Sequence, residues 1–402
     1  MELAYLNKTN GIAGIIKASC DDFIVEEITT DGTVLEIDKK LEVYDNTGKF
    51  VHFVLQKKNW TTAGAIKELA KRLRISQKRF SFAGTKDKTA VSTQLASVFG
   101  IEREQLLATR VKDIKINGAW KCQHKVQLGS LSGNRFTIKV KSATASKPQK
   151  TVKQIFNELD GKFPNYFGQQ RFGSSRENTA KIGLLLLKSR FEEAAMEFLT
   201  GIEGEQNEQA CLARRALAGS NDFSIAVREF PKHLKLERTM IDYLSKNQNN
   251  FVGAFRRLPR QIMLLFIHAV QSFIFNETLS ERVSMASFAA EDGEYFCDEN
   301  ELGFPDISKH STSKKGWLVM KLLGYESKPN EREALMLERM DITVDDFRMR
   351  SIPEISSKGT FRTALAPLKD FSFCNKENIF RFSLPSGSYA TMVLREFIDT
   401  KT

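Results

Sequence analysis

The sequence predicts an α+β protein, and three observations carry that reading. About the first 145 residues are strand-like, helical texture begins at Gln149, and strand character returns at Ile379. Strands, then helices, then strands point to a mixed, mostly antiparallel sheet domain interrupted by a largely helical insertion, with the closing strands rejoining the first sheet. The expected boundaries are 1–173 and 356–402 for the two parts of the sheet domain and 174–355 for the insertion.

Each element has its own warrant. Phe23-Ile-Val-Glu-Glu-Ile28 and Val51-His-Phe-Val-Leu-Gln56 combine β-branched and aromatic residues with partial alternation, as half-buried strands do. A helix is expected from about Thr62 to Leu73, capped by Thr61 or Thr62, because Ala65, Ile66, Leu69 and Leu73 share a face. Phe80-Ser-Phe-Ala83 and Val91-Ser-Thr-Gln-Leu-Ala-Ser-Val98 read as strands flanking the loop Gly84-Thr-Lys-Asp-Lys88. Val126-Gln-Leu128 and Arg135-Phe-Thr-Ile-Lys-Val-Lys141 read as two more. The stretches 150–159, 177–188, 190–200, 205–218, 232–247 and 260–282 have helical spacing or composition. In the last of these Ile262, Leu265, Phe266, Ala269, Phe273 and Leu279 line one side. Ile379-Phe-Arg-Phe-Ser-Leu384 and Tyr389-Ala-Thr-Met-Val-Leu394 read as the closing strands.

A chain of 402 residues exceeds what one core usually serves, and 41% hydrophobic residues suffice for real cores. Lysine and arginine total 60 against 49 acidic residues, a formal net charge of +11, which fits a polyanionic partner such as a nucleic acid. No apolar run reaches the roughly 18 residues of a spanning segment, and the opening residues do not resemble a signal peptide, so no membrane partner is expected. Cys20, Cys122, Cys211, Cys297 and Cys374 are scattered without a CxxC pair and read as reduced thiols of a cytoplasmic protein. The five histidines lack ligand spacing, HExxH is absent, and Gly48-Lys49 lacks the upstream glycine of a phosphate loop. No metal and no cofactor are therefore expected. The chemistry must rest on carboxylate, lysine, arginine or amide groups.

Phe82-Ala-Gly-Thr-Lys-Asp-Lys-Thr-Ala-Val-Ser-Thr-Gln94 is the most informative stretch. It sets Asp87 between Lys86 and Lys88 in a glycine-led loop joining two apolar strands, a place where reactive groups tend to sit. A solvated hairpin turn has the same composition, and on composition alone it is the better reading. Arg256-Arg-Leu-Pro-Arg260, Lys314 and Lys315 are weaker candidates for phosphate contact, since charge runs are usually solvated faces.

The same stretch resembles the catalytic loop of the TruD family of pseudouridine synthases. Further segments resemble that family in the same order: Gly14-Ile-Ile-Lys17 with Asp22-Phe-Ile-Val-Glu26, Gly133-Asn-Arg-Phe136, Pro164-Asn-Tyr-Phe-Gly-Gln-Gln-Arg-Phe-Gly173, and Phe382-Ser-Leu-Pro-Ser-Gly-Ser-Tyr-Ala-Thr391 with Leu394-Arg-Glu396. Ala269-Val-Gln-Ser-Phe-Ile-Phe-Asn276 is similar to the family's insertion-domain helix.

The resemblance implies a pseudouridine synthase catalytic domain acting on tRNA, at uridine 13, with no cofactor. It implies Asp87 as the catalytic carboxylate, Lys17 as its basic partner and Phe136 as the aromatic that stacks on the target base at the cleft edge of the core. Asn134 is then placed to read a uracil edge, Lys86 and Lys88 to touch backbone phosphate, and Gln170 and Arg171 to contact RNA. Each has a bland counterpart: a turn asparagine, a core phenylalanine, solvated lysines. Two other readings remain open: a non-catalytic binder of structured RNA, and an RNA N-glycosidase that would release the base. Nothing in the sequence sets an oligomeric state, and a monomer is assumed.

Overall fold

The computed structural model describes residues 2–141, 148–173, 176–313 and 315–399. Contacts gather the chain into two compact units. One comprises Leu6–Asn165, Glu299–Asp306 and Leu365–Thr402, and the other Met1–Tyr5, Tyr166–Asp298 and Ile307–Ala364. The main divisions between the units fall at 165/166 and 364/365, with short exchanges at 5/6, 298/299 and 306/307. The short strands Lys162–Pro164 and Leu365–Pro367 pair antiparallel, which keeps both edges in the first unit.

The first unit is built on an eight-stranded sheet. Its order is Lys369–Cys374, Ile379–Pro385, Gly133–Lys139, Phe23–Ile28, Val91–Phe99, Phe50–Lys58 and Ile114–Cys122, with Phe80–Phe82 added against Val91–Phe99. The Phe23–Ile28 and Val91–Phe99 strands run parallel, and the other neighbours run antiparallel. Gly133–Lys139 therefore lies between a strand from early in the chain and one from late in it.

Two cores cover this sheet. Phe23, Val25, Phe136, Ile138, Phe380 and Phe382 pack with the helices Pro148–Leu159 and Ala390–Phe397. Val51, Phe53, Leu55, Ala96 and Val98 pack against Ala65, Ile66 and Leu69 of the helix Thr62–Leu73. That helix starts where the Thr61 hydroxyl accepts the Gly64 N–H, and it stops at Arg74 in a left-handed conformation.

Two expected strands are absent. Tyr389 to Leu394 belongs to the helix Ala390–Phe397, because Ala390, Val393, Leu394 and Phe397 recur at the helical period and all four are buried. Val126 is buried, with its N–H on the Ser97 hydroxyl, while Leu128 is exposed and leads into a turn at Gly129. Two apolar residues in a three-residue stretch were too few to hold a strand there.

The second unit is mainly helical. The helices Thr179–Leu187, Phe191–Thr200, Glu208–Ser220, Phe223–Glu229, Lys235–Lys246, Phe251–Phe255 and Arg260–Ser284 share one core that includes Ile182, Phe198, Leu244, Phe255, Phe266 and Ile274. Arg260–Ser284 has 25 residues and is long and apolar enough to cross a membrane by composition, yet 67% of its apolar window is buried inside the protein. It is a core helix. The unit also carries strands that the helical expectation missed: Tyr295–Glu299, Trp317–Leu322 and Thr360–Thr363 pair antiparallel, with Pro305–His310 at the sheet edge. Trp317-Leu-Val-Met-Lys-Leu322 is a short apolar run with no resolvable period, which is why it escaped notice.

Candidate active site

Residues 84–88 run without regular structure between Phe80–Phe82 and Val91–Phe99, and three elements anchor their main chain. Gln94 Nε2 donates to the Gly84 carbonyl at 2.7 Å, from the Val91–Phe99 strand. The Lys86 N–H donates to Thr62 Oγ1 at 3.0 Å, and that hydroxyl, at the first residue of its helix, donates to Gln94 Oε1 at 2.8 Å. Lys57 Nζ, from the Phe50–Lys58 strand, donates to the Asp87 carbonyl at 2.8 Å. The loop's path is thus dictated by rigid elements.

Adjacent side chains of the loop go to different partners. Asp87 Oδ2 lies 2.6 Å from Lys17 Nζ, and the carboxylate side chain keeps 34% of its surface exposed. Lys17 also sits over the Phe23 ring, 4.3 Å from its centroid, with a left-handed backbone (φ 59°). A β-carbon in that region is unfavourable by roughly 1–2 kcal/mol, and such strain gathers at functional sites. Lys86 Nζ lies 2.7 Å from Glu27 Oε2 and donates to Asn134 Oδ1 at 2.7 Å. Lys86 and Glu27 are buried, and Glu27 Oε1 accepts the Leu95 N–H at 2.8 Å. Lys88 is exposed.

Lys17, Asp87, Lys86 and Asn134 therefore form one connected site, with two corrections to expectation. The Lys86 ammonium is engaged inside the protein by Glu27 and Asn134, so it does not present itself to a phosphate. Phe136 is 6% exposed, with ring centroids of Phe23 and Phe382 at 6.2 and 5.6 Å. It packs into the core on the same sheet face as Asn134, with no open ring face. Replacing Phe136 with Ala is accordingly expected to destabilise the fold by about 3–5 kcal/mol, read as a lower denaturation midpoint.

Gln170 and Arg171 belong to the other unit, in the turn Gln169–Arg171. Gln170 is exposed; the Arg171 guanidinium lies 5.2 Å from the Phe167 ring centroid, and that of Arg362 lies 4.1 Å from it. Asn276 accepts the Phe167 N–H at 2.8 Å and donates to its carbonyl at 3.0 Å, which gives the expected helix motif a bracing role. Burial, helped by the Arg171 charge, lowers the His268 pKa, as suits a core histidine. Arg256 and Arg260 donate to the carbonyls of Ser351 and Glu354, leaving Arg257 over the Tyr243 ring at 4.7 Å. Lys315 is exposed, and Lys314 lies outside the described residues. Among the described residues no group of three or more His, Cys, Asp or Glu is arranged to hold a metal ion.

Sequence reasoning missed Lys57, Glu27 and Thr62. A signal existed for Lys57: Phe53, Leu55 and Lys57 share a strand face by alternation, so Lys57 follows two core residues inward while Lys58 turns out to Asp21 at 2.7 Å. Burial lowers the Lys57 pKa to about 8, opposed by the Asp87 charge and reinforced by Lys86.

The chain and its fold agree with what known proteins show. Residues 2–397 match the family model described as tRNA pseudouridine synthase D (TruD). A Methanosarcina acetivorans protein named "Probable tRNA pseudouridine synthase D" is 32% identical, covering 98% of this chain and 94% of its own. One of the same name from Methanococcus vannielii is 34% identical, covering 98% and 97%. A crystal structure from Methanosarcina mazei, described as that of the "Putative tRNA pseudouridine synthase D (TruD)", superposes with a TM-score of 0.75 at 32% identity, over 98% of this chain and 95% of that one. The class is that of the pseudouridine synthases, isomerases with an α+β catalytic fold. The chain belongs to the tRNA pseudouridine synthase D (TruD) family.

Proposed function

We propose that this protein isomerises uridine 13 of tRNA to pseudouridine in the cytoplasm, with Asp87 as the catalytic carboxylate. The observation that carries the proposal is the Asp87–Lys17 pair at 2.6 Å, partly open to solvent on a loop anchored by three elements. The reaction breaks the bond between C1′ and N1, turns the base and joins C5 to C1′. A proton leaves C5 and one is gained at N1, so product and substrate have the same atoms. Asp87 acts either by attacking sugar or base or by removing the C2′ proton. Both routes need the ionised carboxylate, and the Lys17 ammonium is the partner such a group requires. The transition state gathers positive charge on the sugar, which a fixed carboxylate stabilises.

In this reading the uridine is extruded from the RNA to reach Asp87. Asn134 offers its amide N–H to the uracil edge while its oxygen holds Lys86. Lys88, Gln170 and Arg171 contact the RNA, and the buried Lys86 and Phe136 support the site from within. The net charge of +11 favours tRNA as the partner.

The deciding experiment incubates the protein with unmodified tRNA transcripts, with nothing else added. It then maps pseudouridine chemically and weighs the RNA. Pseudouridine at position 13 with unchanged mass is the expected result; a lower mass would mean base loss, and no modified site would leave a binder. Affinity for tRNA should also fall with salt, log K dropping by about 0.7–0.9 per phosphate contacted for each unit of log salt.

A further inference from the structure

Lys57 is a buried cation that the reaction as proposed does not use. It lies opposite Ser92 in the Phe50–Lys58 strand, is 0% exposed, and makes no ion pair among the described residues. Its ammonium meets a neutral acceptor, the Asp87 main-chain carbonyl, at 2.8 Å. Keeping a charge buried against a neutral group is costly, and a methionine of similar length would fill the same space without that cost. The neighbouring Lys58 shows the ordinary arrangement, exposed beside Asp21. Stability does not account for Lys57; its hydrogen bond to Asp87 does.

That contact fixes Asp87 at a second point. Lys17 takes the carboxylate and Lys57 takes the carbonyl of the same residue, so the side chain is held from both ends of its short lever. Neither Lys86, engaged by Glu27 and Asn134, nor the exposed Lys88 touches that carbonyl. We propose that Lys57 is a positioning residue for Asp87, fixing the loop's main chain and adding a buried positive charge beside the carboxylate. This inference rests on the reading of Asp87 as the reacting group.

The ammonium is a titratable one. The titratable groups facing it are Asp87 and Lys86 from the loop and Cys20 from the turn Cys20–Asp22; burial has the largest effect and brings the pKa to about 8. The sign follows. Below about pH 8 Lys57 carries its charge, and as pH rises through that value the charge beside Asp87 is lost while a hydrogen-bond donor remains. The chemical step should therefore slow on the alkaline side of pH 8.

The test measures single-turnover pseudouridine formation and tRNA affinity for the wild type, Lys57→Met and Lys57→Arg across pH values bracketing the lysine's titration. Lys57→Met is expected to lower the rate constant roughly 10²-fold, the cost of a misplaced catalytic group, with affinity unchanged and no decline near pH 8. Lys57→Arg, charged at every pH used, should recover part of the rate and lack that decline as well. A Lys57→Met protein with the wild-type rate and pH profile overturns the inference. So does a Lys57→Arg protein that still declines near pH 8, which decides the matter if the methionine variant does not fold. A wild-type protein that makes no pseudouridine would instead defeat the reading of Asp87, so the two failures are distinguishable.

Discussion

Asp87→Asn is expected to slow pseudouridine formation by about 10⁴-fold or more while tRNA affinity stays within a few-fold of wild type. The amide has almost the shape of the carboxylate and can still meet Lys17, so the loop has no reason to move. Three of its anchors, from Gln94, Thr62 and Lys57, are to main-chain atoms that the substitution leaves alone. What is lost is the negative charge, and with it both nucleophilicity and the ability to take a proton. Single-turnover assays on a tRNA transcript, beside filter binding of the same RNA, read the two quantities separately. An asparagine variant that still isomerises uridine would remove Asp87 from the chemistry altogether.

Glu27→Gln should produce a loss of stability as large as any at the site. Glu27 and Lys86 are both buried, 2.7 Å apart, and neutralising one leaves an uncompensated charge inside the sheet. Breaking a pair of this kind costs about 3–5 kcal/mol. For a unit of this size that lowers the thermal midpoint by roughly 10 °C. The double variant Glu27→Leu with Lys86→Met should recover most of the loss, because an apolar pair of similar volume needs no compensation. Calorimetry on Glu27→Leu alone, Lys86→Met alone and the double variant completes the cycle. Additive losses would mean that the two side chains are not coupled.

The fold was readable where periodicity was long. Thr62 to Leu73 showed its cap and its apolar face in the sequence, and the structure has the same helix. It was unreadable where two periods competed. Tyr-Ala-Thr-Met-Val-Leu has the β-branched and aromatic content of a strand, and the helical spacing of Ala390, Val393 and Leu394 becomes a clear repeat only when Phe397 is added. At the site, the pairing of Lys17 with Asp87 across 70 residues came from resemblance to a family, since no local pattern links positions so far apart. The inward turn of Lys86 was hidden for a related reason. Its partners Glu27 and Asn134 lie on separate strands, and only the register of the sheet brings them together.

The strand order also bears on how the protein is made. Gly133–Lys139 finds one neighbour, Phe23–Ile28, early in synthesis, but its other neighbour, Ile379–Pro385, follows about 240 residues later. At 5–20 residues per second a ribosome needs roughly 12–48 s to cover that gap. If the early strands fold before then, the nascent chain would carry Asn134 and Phe136 on an open sheet edge, able to pair with other chains. Translation that stalls within the intervening helices would then release a sticky fragment, and chaperone demand should peak before the closing strand emerges.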